Sequence, residues 1–212
     1  MADLPEAIAL EEQGEAACRR ATYQEAQTLY ERALTIREQV LGTEHPEIVP
    51  TLTTLGEIRQ TRAQYPEAEQ LYRRALTICE TAYGTEDLRT ISALGNVAGI
   101  LDQRGSLDQA QPLYEKAVQL AEQYAGPAHP ETALALSKIA RFYRLIGNAS
   151  QAEQCFQRAL AIYEALPHLD AQMTICLNNL AYLKLAQGQY AEAEALLRRA
   201  MSETSISPLV PI

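Results

Sequence analysis

An aromatic residue recurs in this chain at a fixed interval, and that interval limits the folds open to it. Tyr30, Tyr72, Tyr114 and Phe156 stand 42 residues apart. Ala26, Ala68, Ala110 and Ala152 keep the same spacing, as do Ala33, Ala75, Ala117 and Ala159. A fifth copy, one residue shorter, carries Ala193, Leu197 and Ala200. A repeat of this length encodes one supersecondary unit that buries its apolar face only against its neighbours, so the chain reads as a solenoid. Solenoids present long concave surfaces, which favour binding of other chains.

Each copy reads as two helices. In the second, Leu52, Leu55, Gly56 and Ile58 form a helical stripe. A turn at Ala63-Gln64-Tyr65 follows, and then Pro66, Ala68, Leu71, Tyr72, Ala75, Leu76 and Ile78 form a second. Pro66 falls in a first turn, where its missing N–H is tolerated. Small residues repeat midway along the first helix (Gly14, Gly56, Ala98, Ala140, Ala181) and near the start of the second, which lets antiparallel helices approach closely while the aromatic fills space. Gly105, Gly147 and Gly188 mark the turns in the last three copies. The phased pattern predicts ten helices, over 6–20, 22–41, 47–63, 66–83, 87–104, 107–125, 130–147, 149–166, 170–187 and 190–203. The repeats then span about 6–46, 47–88, 89–130, 131–169 and 170–204, one array over 1–204 with a tail at 205–212. Gln13 stands where Leu55, Val97, Ile139 and Leu180 stand, which suits a polar N-terminal cap. The tail, with Ile206, Leu209, Val210 and Ile212, is apolar and broken by Pro208 and Pro211, so the C-terminal end is expected to pair with a second copy or to be covered by further chain.

The pattern resembles a tetratricopeptide repeat: Leu-x-x-Leu-Gly, a small residue twelve positions on, an aromatic four later and Ala three after that. The long period, the loops Gly42-Thr43-Glu44-His45-Pro46-Glu47 and Gly126-Pro127-Ala128-His129-Pro130-Glu131, and the string Leu177-Asn178-Asn179-Leu180-Ala181 resemble the kinesin light chain type. The second loop lacks His-Pro and the fourth, through Pro167-His168-Leu169, is shortened. The resemblance implies an all-α fold, a right-handed α-solenoid of about five antiparallel helix pairs whose first helices line the groove.

Charge narrows the function. The net charge is −9, with no basic footprint of the kind a nucleic-acid binder carries. No basic start leads into an apolar stretch and no apolar run approaches a membrane span, so neither secretion nor a membrane partner is expected and a cytoplasmic setting is. Cys18, Cys79, Cys155 and Cys176 fall at unrelated repeat positions without a CxxC, and read as reduced packing thiols. His45 and His129 precede prolines at helix entries, without companions for a metal. Glu15/Arg19, Glu69/Arg73 and Glu194/Arg198 are i, i+4 pairs that support exposed helices. No pair of acids comes with a nucleophile motif or phosphate loop, so neither enzyme activity nor a cofactor is expected.

On the first helix of the fourth copy, Leu136, Ile139, Ala140 and Tyr143 form the packing stripe, leaving Ser137, Lys138, Arg141, Arg144 and Leu145 opposite. Equivalent positions offer Asn96, Asp102 and Gln103 in the third copy and Asn178, Asn179 and Tyr182 in the fifth, while the first offers Glu11, Glu12 and Glu15. The candidate peptide-binding residues are therefore Asn96, Lys138, Arg141, Arg144, Asn179 and Tyr182. Arginine can clamp a carboxylate and asparagine can pair with a peptide backbone in both directions. This loosely resembles the carboxylate clamps of chaperone-binding relatives, without matching them copy by copy. The same cations also read as a solvated face, and Arg144 as favoured near a helix C-terminus. The expected function is a non-catalytic scaffold for an acidic protein or peptide segment, with a regulatory peptide sensor or a self-assembling homo-oligomeric module as alternatives.

Overall fold

The computed structural model describes residues 3–166 and 170–205. Ten α-helices run through them: α1 Leu4–Arg19, α2 Tyr23–Leu41, α3 Val49–Thr61, α4 Tyr65–Tyr83, α5 Leu88–Gln103, α6 Leu107–Leu120, α7 Pro130–Leu145, α8 Ala149–Glu164, α9 Asp170–Ala186 and α10 Tyr190–Ser205. No strand occurs among the described residues. Odd-numbered helices are the first (A) and even-numbered the second (B) of each pair. Two compact units divide the chain, Met1–Leu113 and Tyr114–Ile212, the division falling inside α6. In the first unit α1 packs on α2, α2 on α3, α3 on α4 and α4 on α5; in the second α7 packs on α8, α8 on α9 and α9 on α10. The loop at 167–169 and the tail at 206–212 lie outside the described residues.

The helix boundaries follow from capping. α1 starts earlier than the periodicity predicts, because the Asp3 side chain accepts the Glu6 N–H at 3.0 Å and Pro5 suits the first turn. The A helices of copies two to four begin at the same repeat position with the same device. His45 Nδ1 accepts from Glu47 N at 3.3 Å and His129 Nδ1 from Glu131 N at 3.1 Å, while Asp87, in the loop lacking His-Pro, accepts from Arg89 N at 2.9 Å. In copy two this entry is a single 3-10 turn, Pro46–Ile48, ahead of α3. Arg89 also grips the Asp87 carboxylate side-on, which lowers that group to about 2.

All five A helices end alike. The N–H of Thr22, Gln64, Ser106, Asn148 and Gln189 returns five residues to the carbonyls of Ala17, Arg59, Leu101, Tyr143 and Lys184. This closure requires a left-handed residue just before the returning N–H. Gly105, Gly147 and Gly188 supply it with φ of 77°, 79° and 75°, but copies one and two use Ala21 and Ala63, both at φ 58°. The helix predicted over 107–125 keeps those bounds but changes type: α6 ends at Leu120 and Ala121–Ala125 widens into a π-helical turn. There Gly126 N–H reaches five back to Ala121 O, where Gly42 and Gly84 reach four back to Glu38 and Glu80.

The core is built from the repeated small and aromatic positions. Ala26, Ala68, Ala110, Ala152 and Ala193 are fully buried. The Tyr30 ring packs against Gly14 and the Tyr72 ring against Gly56, so close that a Cβ on Gly56 would stand 2.7 Å from Tyr72 Cε1. Tyr72 Oη donates to Gln60 on the same A helix at 2.8 Å, which fixes the ring. In the first unit Tyr30, Leu34, Ile48, Leu52, Leu55 and Ile58 form one cluster, so each B helix is covered by the next A helix.

Ion pairs repeat in phase as well. Glu38 meets Arg74 at 2.6 Å, Glu122 meets Arg158 at 2.5 Å and Glu164 meets Arg199 at 2.6 Å, each joining a B helix to the next. Glu15/Arg19, Glu69/Arg73 and Glu194/Arg198 form the predicted i, i+4 pairs. Glu69, however, is buried rather than on an open face, because it also receives Arg104 from the end of the next A helix.

Two stability changes should follow. Ala63→Gly removes a left-handed alanine whose backbone costs about 1–2 kcal/mol, less the added chain entropy of glycine, and should raise unfolding free energy by about 0.5–1 kcal/mol; a lower midpoint in urea would contradict this. Gly56→Ala should lower it by about 1–2 kcal/mol, the overlap with the fixed Tyr72 ring outweighing the roughly 1 kcal/mol gain in helix propensity. An unchanged or raised midpoint would show that the ring yields.

Candidate functional site

The second unit brings five of the six candidate residues together. α7 carries Lys138, Arg141 and Arg144, and α9, which packs on α7, carries Asn179 and Tyr182. Asn96 belongs to α5 in the other unit and is half-buried. Arg141 and Tyr182 hold equivalent repeat positions, and both are exposed, Tyr182 by 62%. Arg144 is exposed too, and neither arginine makes an ion pair among the described residues. Lys138 is half-buried and engaged by a neighbour. Asn179 Nδ2 donates to Ile175 O at 2.9 Å, which commits part of its amide to its own helix.

Three residues named from helical geometry sit elsewhere than expected. Ser137 Oγ is buried. Asp102 is buried and partnered, facing the packing of the first unit. Glu11 is drawn into the core edge, where it takes both nitrogens of Arg37 at 2.8 and 2.7 Å and the Thr51 hydroxyl at 2.5 Å. A single helical wheel divides a helix into two faces, but an A helix here touches its own B helix, the preceding B helix and its A neighbours, so the packed arc is wider than one stripe.

The same surface holds apolar residues that single-helix reading left out. Ile175 is 59% exposed, and with Leu185 it stands on the Tyr182 side of α9, at i, i+7 and i+10. Leu145, which the sequence places on this face, is exposed at the end of α7. The repeat offset would have found Leu185, because it is the equivalent of Arg144. The exposed cations thus lie on α7, and the large exposed apolar groups lie mainly on α9 beside it.

Lys184 is the cation that sequence reading missed. Its side chain is 7% exposed, with Nζ 2.6 Å from Glu153 of α8 and 3.0 Å from Glu192 of α10. The Glu153 hydrogen bond comes first among the causes that raise its pKa. It ties three helices together, so its charge is spent on structure and adds nothing to the open face.

The first unit presents the opposite chemistry. Glu12 and Glu15 are exposed on α1, and a cavity of about 430 Å³ between α1 and α3 is lined by Glu15, Cys18, Tyr30, Thr54 and Glu57 among others. Burial first, and then Glu15, pushes the Tyr30 hydroxyl up to about 12; burial, then Glu57 and Glu15, raises the Cys18 thiol. Burial likewise raises Cys79 and Cys155, and Cys176 to about 11, so all four free thiols resist ionisation. His45 and His129 serve as helix caps. Among the described residues no helix is long and apolar enough to cross a membrane.

Comparison with known proteins agrees with this geometry. Tetratricopeptide repeat models match residues 5–81, 89–165 and 174–203. No curated protein sequence matches the chain. Among solved structures, a Podosopora anserina putative kinesin light chain with nearly identical TPR-like repeats superposes with a TM-score of 0.69 at 21% identity, over 99% of this chain and 100% of that one. BtubC (BKLC) from P. vanneervenii gives 0.68 at 22% identity, over 94% and 80%. A Rap protein complexed with Competence and Sporulation Factor gives 0.80 at 20% identity, over 94% of this chain and 54% of that one. At these identities the solved structures speak for the fold alone, while the repeat family points to a protein-interaction scaffold. With its repeat models covering most of the sequence, the chain belongs to the tetratricopeptide repeat family.

Proposed function

We propose that this protein is a non-catalytic scaffold that holds an acidic, partly apolar peptide segment of a partner protein against the A helices of its second unit. The observation that carries the reading is the exposure of Arg141 and Arg144 beside Ile175, Tyr182 and Leu185. Among the described residues the other arginines are engaged: Arg37, Arg59, Arg74, Arg104, Arg158 and Arg199 each hold a carboxylate, and Arg62 donates to Gln24 and Gln27. Two exposed arginines outside that scheme, in a chain of net charge −9, offer a bound carboxylate a bidentate partner. Tyr182, Ile175 and Leu185 would cover apolar side chains of the same segment, and Lys138 and Asn179 would flank it. Asn96 is left outside this surface. The setting that suits such a protein is the cytoplasm, where its thiols stay reduced.

A second reading, a regulatory sensor of a signalling peptide, draws on the Rap neighbour, whose title names a complex with Competence and Sporulation Factor. The two readings share a peptide ligand and differ in whether binding changes the conformation of the array.

A peptide library displayed against the full chain should enrich segments that combine Asp or Glu with Leu, Ile or Phe. Charge-assisted hydrogen bonds are worth roughly 1.5–3 kcal/mol each, so Arg141→Glu with Arg144→Glu should weaken an enriched peptide by about 100-fold or more in calorimetry. The reading fails if acidic sequences are not enriched, or if the double variant binds them as the parent does with helicity and melting intact.

A further inference from the structure

The crossing of α2, α3 and α4 in the first unit and that of α6, α7 and α8 in the second stand two repeat periods apart, so their residues correspond one to one. In the first, Leu34 and Leu71 pack with Leu52 and Leu55 in one apolar cluster, and Arg59 of α3 reaches Glu31 of α2 at 2.6 Å. In the second the frame is kept. Leu136 and Ile139 stand for Leu52 and Leu55, and the Glu122–Arg158 pair for Glu38–Arg74. The filling is not kept. Val118 and Cys155 stand where Leu34 and Leu71 stand, and Tyr143 where Arg59 stands. Leucine holds the Cys155 position in every other copy, as Leu29, Leu71, Leu113 and Leu196. Here a cavity of about 310 Å³ opens between Val118 and Cys155 over Leu136 and Ile139.

Relative to the first crossing, the second is short of leucine-sized aliphatic volume and of a cation at the Arg59 position. We propose that the cavity between α6, α7 and α8 binds a short segment of a partner protein, through a branched aliphatic side chain and a Lys or Arg within two residues of it. The aliphatic group fills the space over Leu136 and Ile139 that Leu71 serves in the first unit. The cation follows from charge. The lining holds the carboxylates of Glu115 and Glu122 against the single cation of Arg158. A hydrogen bond joins Glu115 to Tyr143, a neutral group where Arg59 brings a charge. Arg158 takes one oxygen of Glu122 at 2.5 Å, and a carboxylate can accept further donors. The same excess of negative charge turns away the acidic segment proposed for α7 and α9. The volume lies near the lower limit of ligand sites, about 300 Å³, which fits one or two side chains and not a whole helix. Every lining residue falls between Glu115 and Arg158, with further helices on both sides in sequence, so the ends of the chain do not decide whether the cavity is covered. Residues 206–212 contain no Lys or Arg and cannot supply the cation.

The probes are two end-blocked peptides, Ala-Leu-Arg-Ala and Ala-Leu-Ala-Arg-Ala, titrated into the isotope-labelled full chain and followed by NMR. At least one should give saturable shifts at the amides of Val118, Ile139 and Cys155. Exchanging its Leu for Ala, or its Arg for Glu, should weaken binding by about tenfold or more. In the protein, Cys155→Leu restores the residue of the other copies and fills the cavity, and should weaken binding by a similar factor with helicity kept. Tyr143→Arg, which supplies the cation from within as Arg59 does, should act in the same direction. Saturable binding by neither peptide overturns the proposal, as does equal binding by the parent and a Cys155→Leu variant of unchanged helicity. Shifts centred instead on Arg141 and Tyr182 also overturn it, since they place the peptide on the surface of α7 and α9.

Discussion

The contact on which the first two helix pairs depend is an aromatic ring laid against bare backbone. Tyr30 on Gly14 and Tyr72 on Gly56 bring antiparallel helices closer than any side chain would allow at that point. Everything that repeats around the contact serves it. The buried alanines near the start of each B helix keep the opposite side of the crossing narrow. The left-handed cap at the end of each A helix turns the chain back tightly enough for the ring to reach. In the later copies alanine stands in for glycine, and the aromatic remains as Tyr114 and Phe156 or gives way to Leu197, so the same architecture is met with a looser ring or a smaller side chain.

Neighbouring pairs are then joined by contacts of modest worth that recur in register. The Glu38–Arg74, Glu122–Arg158 and Glu164–Arg199 pairs lie near the surface, where each contributes about 0.2–1 kcal/mol. Their constancy fixes which face of one B helix meets the next more than it adds stability. Lys184 differs, being covered and shared by Glu153 and Glu192. Removing it would strand carboxylates rather than free them, the situation in which a buried pair matters most.

Most of the fold was legible in the sequence because the repeat fixes phase. The predicted helix boundaries fall within about three residues of those observed, the π-helical turn counted as the end of the sixth, and the loop histidines cap the helices they precede. The departures have local causes. Ala21 and Ala63 adopt a conformation that composition alone assigns to glycine, because the five-residue return of the A helix demands it. The π-helical turn at Ala121–Ala125 leaves no mark in the periodicity. The candidate site was less legible. Arg141, Arg144 and Tyr182 stand exposed as expected, but the Ser137 hydroxyl and Asp102 are buried, and Ile175 and Leu185 were not foreseen. A charge written in one helix says nothing of a carboxylate 31 residues away, which is how Lys184 finds Glu153. Only the offset between copies carries that information.

The peptide contact we propose lies on the A-helix side of α7 and α9. The direct measurement is photocrosslinking of an acidic, apolar peptide that binds the full chain, followed by mass spectrometry of the adducts. Adducts are expected on residues beside Arg141, Arg144 and Tyr182. Adducts confined to the outer faces of α8 and α10, with none on α7 or α9, would contradict it.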